Sequence, residues 1–167
     1  GNIAISFNTG AVAAAIPLIA ADFHTTDFVV ARIVPYYMIP YGLGALLYAP
    51  LTRFFAYRAI LIAAIAVFAI FSLIAGMSQS LTTIFAAQIA AGIAAASSTP
   101  LGLMMIGDFF EKNVRGRLVG TYFGCSFFAA VGGMIFMGTL HWRWLFLVPA
   151  ILGALTAVCW IFFSNAL

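Results

Sequence analysis

Charged side chains are scarce in this chain. Asp, Glu, Lys and Arg together make up 7% of its 167 residues, whereas a soluble domain has roughly 25%. Residues of the AVILMFWYC set make up 65%, and a soluble protein of this size cannot hide that much apolar surface beneath a polar coat. The composition therefore excludes a soluble enzyme, a disordered chain and a nucleic-acid-binding protein, despite the net charge of +3. It indicates a polytopic helical membrane protein.

Side chains that bind metals or attack substrates are also few. The two cysteines, Cys125 and Cys159, lie inside apolar runs, without the spacing of a disulfide framework or a zinc site. The two histidines, His24 and His141, are isolated from each other, and no Ser-His-Asp set or carboxylate pair lies within the apolar stretches. The sequence therefore predicts no enzymatic activity, no metal site and no cofactor.

Charge-free stretches divide the chain into membrane spans. A helix needs about 20 residues to cross the ~30 Å hydrocarbon core, so the 49-residue stretch 59–107 holds two spans. Their break is predicted at the small polar cluster 76–80. Long apolar runs without alternation exclude a β-barrel, and the fold class is therefore all-α: a six-helix transmembrane bundle with no soluble domain. The predicted spans are about 2–21, 29–51, 59–76, 82–107, 117–138 and 143–163.

Basic residues are distributed unevenly over the connections between these spans. The connections after spans 2 and 4 carry five of them, and the connections after spans 1 and 5 carry two. The positive-inside rule places the more basic connections, and with them both termini, in the cytoplasm. The expected location is a bacterial inner (cytoplasmic) membrane. The five residues are Arg53, Arg58, Lys112, Arg115 and Arg117, and the two are Arg32 and Arg143.

A few uncharged polar residues interrupt the spans. Ligand sites in helix bundles are mostly apolar, with a few placed hydrogen-bonding groups, and an amide that faces lipid is costly. The amides of Asn8 and Gln88 fit a cavity wall and a hydrogen bond between helices equally well. The tyrosines also suit helix packing or the interfacial aromatic belt. The candidate cavity residues are Asn8, Thr9, Tyr37, Tyr41, Gln88, Tyr122 and Ser126.

Short motifs follow one another along nearly the whole chain. They are AIPLIAADF (15–23), APLTRFFAYR (49–58), QIAAGIAAA (88–96), then Pro100, DFF (108–110), RGR (115–117) and WRWLF (142–146). In this order and spacing the chain resembles the N-terminal six-helix half of a major facilitator superfamily transporter. Within that family it is most similar to the sugar-efflux and drug-efflux permeases.

The resemblance implies a secondary transporter that holds a small solute near mid-membrane, between two six-helix halves. It also implies a cytoplasmic gate made by charged connections, with Asp108 paired to Arg53 or Arg58. The other interpretation of these residues is solvated charge that orients the chain. Where the family pattern has ionisable groups, this chain has Arg53 for an aspartate, Gln88 for an arginine and Asn8 for an acid. The gate candidates are Arg53, Arg58, Asp108 and Arg117.

Six helices form only one half of such a transporter. Besides the lipid bilayer and a small-molecule substrate, the expected partner is a second six-helix half, in the same chain, in a separate chain or in a homodimer. The replaced motif residues also fit a second hypothesis. In that hypothesis, a half-size relative does not transport and serves as a structural subunit of a larger membrane complex.

Overall fold

The computed structural model describes residues 2–137 and 141–164. The described residues form eight helices and no strand, and six segments are long and apolar enough to cross a membrane. The all-α, six-helix transmembrane fold class is thereby confirmed. The helices are α1 (Asn2–Asp22), α2 (Asp27–Val30), α3 (Ile33–Leu51), α4 (Tyr57–Met77), α5 (Leu81–Ala95), α6 (Ser98–Phe109), α7 (Lys112–Met137) and α8 (Trp144–Ser164).

The fourth span is divided into α5 and α6, although the sequence predicts one helix over 82–107. Pro100 explains the division, because its ring clashes with the carbonyl four residues earlier, that of Ala96, and because it lacks a backbone donor. At the end of α5, the Ser97 hydroxyl donates to the Ala94 carbonyl at 2.9 Å. The hydroxyl thus adds a side-chain donor to one of the last carbonyls of α5.

Helix α7 begins at Lys112, five residues before the predicted start of span 5 at 117. Arg115 and Arg117 therefore lie within the helix and not in the preceding connection. Composition marks where a helix enters hydrocarbon, whereas the helix itself continues into water as long as its backbone bonds are made. The predicted end of this span, residue 138, lies outside the described residues.

Glycines allow two pairs of helices to approach closely. Helix α1 packs along α7, and α3 packs along α5. A Cβ atom built at Gly133 would lie 2.6 Å from the carbonyl oxygen of Phe7, and one built at Gly92 would clash with the carbonyl of Tyr37. Small residues are the usual means by which membrane helices gain van der Waals contact. These contacts hold α1, α3, α5 and α7 in the positions that shape the cavity described below.

A network of polar contacts ties three helix ends together on one side of the bundle. Nη1 of Arg143 donates to the carbonyls of Gly76 at 3.1 Å and Ser78 at 3.0 Å. The Arg143 guanidinium also lies 4.7 Å from the ring centroid of Trp142, whose indole donates to Asp22 at 2.9 Å. A cation at the C-terminus of a helix satisfies free carbonyls and opposes the helix dipole. The start of α8 is thus fixed to the ends of α4 and α1.

Replacing Arg143 by Gln is expected to lower the free energy of unfolding by about 2 kcal/mol, because hydrogen bonds from charged donors contribute roughly 1.5–3 kcal/mol each. Thermal unfolding of the detergent-solubilised full-length protein would measure the loss. Arg32→Gln is the matched control, since Arg32 is exposed and lies 5.8 Å from the Phe28 ring centroid. Equal shifts in both variants would contradict the structural role of Arg143.

Candidate substrate cavity

A cavity of about 330 Å³ opens between α1, α3, α6 and α7. Its volume falls within the ~300–1,000 Å³ range of small-molecule sites. Four predicted cavity residues line it: Thr9, Tyr37, Tyr41 and Ser126. The structure therefore brings together side chains from three spans that are far apart in the sequence. The other lining residues are Asn2, Ile5, Ser6, Met38, Thr99, Phe123, Phe127 and Ala130.

The cavity wall combines aromatic rings with isolated hydroxyl groups. The rings of Tyr37 and Tyr41 stack with 6.1 Å between centroids and 23° between planes. The Thr9 hydroxyl donates to the Ile5 carbonyl of its own helix at 3.0 Å. No Asp, Glu, His, Lys or Arg is among the residues that line the described cavity. The wall offers apolar contact, ring faces and single hydrogen bonds to a ligand, without an ion pair.

Hydrogen bonds join three helices at the Asn2 end of the cavity. The Asn2 amide donates to the Ser126 hydroxyl, which in turn donates to the Tyr122 carbonyl at 2.8 Å. The Tyr122 hydroxyl donates to the carbonyl of Ser98 at 2.8 Å. Tyr122 is thus next to the cavity and bonded to its lining, although it is not part of the wall. These bonds hold α1, α6 and α7 in register.

Asn2, Ser98 and Thr99 were not among the predicted site residues. For Ser98 and Thr99, the signal is the run Ser98-Thr99-Pro100 within a membrane span. A proline there frees backbone groups that neighbouring side chains must satisfy. The Tyr122 hydroxyl donates to the Ser98 carbonyl close to this break, and the hydroxyls of Tyr41 and Thr99 meet at 3.0 Å. Asn2 lies outside this run, and no sequence pattern marks it.

Asn8 and Gln88 are buried and do not line the cavity. Both are 0% exposed. Within residues 2–137 and 141–164, no hydrogen-bond partner reaches either amide or the hydroxyls of Tyr37 and Ser72. An unsatisfied buried polar group costs about 1–3 kcal/mol, and its presence in a native structure calls for an explanation.

These four residues form what we call the buried polar layer: Asn8, Tyr37, Ser72 and Gln88. Two clusters of buried residues adjoin it, and Tyr37 belongs to one of them. On α1, α4 and α5 in turn, one buried polar residue separates members of the two clusters. The flanking members are Ala4 and Val12, Phe68 and Ala75, and Ala87 and Ala91. Tyr37 connects the layer to the cavity, because it lines the cavity and its hydroxyl has Thr9 and Asn8 as polar neighbours.

The charged residues predicted to form a gate are not joined by ion pairs in the described part of the chain. Asp108 is exposed and pairs with neither Arg53 nor Arg58. Instead, the Arg58 guanidinium lies 5.6 Å from the Phe109 ring centroid. Tyr57 meets the same ring edge-on, at 6.3 Å between centroids. Contacts to Phe109 therefore hold the start of α4 against the end of α6.

Arg117, the fourth gate candidate, is exposed in the second turn of α7. Its backbone carbonyl accepts a hydrogen bond from the Thr121 hydroxyl at 2.9 Å. This is a contact within one helix, and it leaves the Arg117 side chain at the surface of the described bundle.

A family model described as Major Facilitator Superfamily matches residues 1–166. An uncharacterized transporter of Schizosaccharomyces pombe is 24% identical over 166 residues, which cover 96% of this chain and 31% of the relative. Azole resistance protein 1 of Saccharomyces cerevisiae is 28% identical over 134 residues, or 77% and 22% of the two chains. A multidrug transporter of Candida glabrata is 25% identical over 166 residues, or 96% and 29%.

The chain spans less than a third of the length of each of these relatives. The three are fungal, so they lend no support to a bacterial membrane in particular. The family match nevertheless extends over almost every residue of the chain, and it agrees with the motif order and with the six apolar segments. The chain is an integral membrane protein that belongs to the major facilitator superfamily.

Proposed function

We propose that this chain is the N-terminal half of a secondary transporter that moves a small solute, and that it is not an enzyme. The observation that carries the proposal is the cavity between α1, α3, α6 and α7. In many transporter folds, substrates bind near the middle of the bilayer where two repeats meet, and the halves rock about that site. A cavity that opens on one side of a six-helix bundle fits such a shared site.

Helix α7 supports a second half as the missing wall. Only 6% of its apolar segment is buried, compared with 50% for α4. Phe123 and Phe127 line the cavity and are 48% and 66% exposed. The match covers only 31% of the length of the Schizosaccharomyces pombe relative. A protein of that length has room for a second six-helix half that covers this face. It would belong to the same chain, to a separate chain or to a second copy.

The chemistry of the wall favours an apolar, drug-like solute. Rings such as Tyr37 and Phe127 offer their faces, while Thr9 and Ser126 offer single hydrogen bonds. Two of the relatives are named for azole resistance and multidrug transport, which fits a site without charged side chains. We also propose that both termini face the cytoplasm. They lie on the same side as the connections after spans 2 and 4, which carry more basic residues than the other connections.

The test is solute flux in vesicles that contain the purified full-length protein, with ethidium and an azole as separate probes. Saturable flux above that of protein-free vesicles is the expected result. The competing hypothesis, a structural subunit, predicts no flux of either probe and co-purification with a larger membrane protein in a fixed ratio. That outcome would overturn the transporter proposal.

A further inference from the structure

A second groove lies away from the cavity, where α3, α4 and α5 meet. It has a volume of about 500 Å³ and an almost entirely apolar lining. Helices α3 and α4 each pack along α5, so that α5 forms the floor of a furrow between them. Helix α4 contributes to this groove but not to the cavity. The groove and the cavity are therefore separate sites.

Small side chains keep the furrow open. Ala59 and Ala63 line it on α4, and Ala90 and Ala94 line it on α5. Along α4 the lining extends from Ala59 to Val67, which is about 12 Å at 1.5 Å per residue. One leaflet contributes roughly 15 Å of the ~30 Å hydrocarbon core. The furrow is thus deep enough to follow an acyl chain through most of one leaflet.

Two arginines lie at one end of this furrow. Arg53 is two residues from the lining residues Leu51 and Phe55, and Arg58 directly precedes Ala59. Neither arginine has a carboxylate partner within the described residues. Arginine binds phosphate oxygens well, and basic residues at the cytoplasmic surface attract anionic lipids. An apolar furrow that ends at two arginines without carboxylate partners matches the two parts of a phospholipid.

We propose that this groove binds an anionic phospholipid of the cytoplasmic leaflet, with an acyl chain in the furrow and the phosphate on Arg53 and Arg58. The site does not depend on transport. A second six-helix half is expected on the cavity face, which α4 does not reach, so the groove remains open to lipid.

The first test is native mass spectrometry of the full-length protein, released from nanodiscs of phosphatidylcholine with a minor fraction of phosphatidylglycerol. The wild type is expected to retain phosphatidylglycerol preferentially. In the double variant Arg53→Gln/Arg58→Gln this preference should fall about twenty-five-fold, because each basic residue near an anionic surface contributes about fivefold in binding. Lys112→Gln removes a charge from the same side and should leave the preference unchanged. An unchanged double variant, or an equal loss in Lys112→Gln, would overturn the proposal.

The second test asks whether the acyl chain occupies the furrow. Ala63→Phe fills it and should lower the retention of both lipids several-fold, whereas Ala154→Phe, on an exposed part of α8, should not. A photoreactive residue at Val67 then identifies the occupant in the native membrane. A cross-link to phospholipid supports the site. A cross-link to a peptide of a second half, or equal retention in the two Phe variants, contradicts it.

Discussion

Replacing Thr9 by Trp is expected to reduce transport by the full-length protein about a hundredfold without unfolding it. Thr9 lines the cavity from α1, and its hydroxyl donates within its own helix, so the main effect of the substitution is to add bulk to the cavity. Overpacking a filled site costs roughly 1–3 kcal/mol. A substrate that must displace the indole would lose up to that amount of binding free energy. Each 1.4 kcal/mol of lost binding free energy weakens the affinity tenfold.

The control for this substitution is Ala154→Trp. It places the same side chain on an exposed part of α8, away from the cavity, and should leave the flux of ethidium and of an azole at the wild-type rate. Initial rates at several substrate concentrations would separate lost binding from lost turnover. Wild-type flux in Thr9→Trp, with normal insertion and unfolding temperature, would show that the substrate does not use this cavity.

The helices could be predicted from sequence because lipid leaves the backbone no alternative. A segment in hydrocarbon must satisfy its amides and carbonyls internally, so the length of each apolar run determines the number of spans. The length of an apolar run does not predict where a helix ends outside the bilayer. Helix α7 begins five residues before its predicted span, at Lys112. The break at Ala96 is explained by Pro100, but the length of the apolar run alone does not mark it.

The inward faces of the helices could not be predicted in the same way. Helices such as α1 and α3 are apolar on every side, and the periodicity that marks the buried face of a soluble helix is absent from them. Polar residue type indicated that Asn8 and Thr9 matter, but not that Thr9 faces the cavity while Asn8 is buried and does not line it. That distinction depends on where α7 and α5 pack, which follows from close contacts at Gly133 and Gly92.

The buried polar layer has a functional explanation within the proposed transport cycle. Asn8 and Gln88 are buried without partners in the described conformation, and Tyr37, which has Asn8 as a polar neighbour, lines the cavity. When two halves rock about a central site, contacts between helices are exchanged. An amide that is unsatisfied in one conformation can then gain a partner, a water molecule or the solute in another. The free-energy cost of the unsatisfied amide in the first conformation lowers the barrier to leaving that conformation.

Substituting apolar residues for the two amides is therefore expected to stabilise this conformation and to abolish transport. Asn8→Leu and Gln88→Met keep similar volumes and remove groups whose burial costs about 1–3 kcal/mol each. The free energy of unfolding should rise by up to that amount in each variant, measured by thermal or denaturant unfolding of the full-length protein. Flux of ethidium and of an azole should fall at least about tenfold, because the same free energy now opposes leaving the stabilised state.

Ser72→Ala separates a general effect of polarity from a role in transport. Ser72 lies in the same layer and its hydroxyl is likewise unsatisfied. It is the control for Asn8→Leu, because Ser72 is on α4, which does not line the cavity, whereas Asn8 is on α1, which does. This variant should gain stability and keep wild-type flux. If Asn8→Leu and Gln88→Met instead lose stability and transport normally, the amides are structural. They would then bond between helices in the membrane, where such bonds contribute about 0.6 kcal/mol on average.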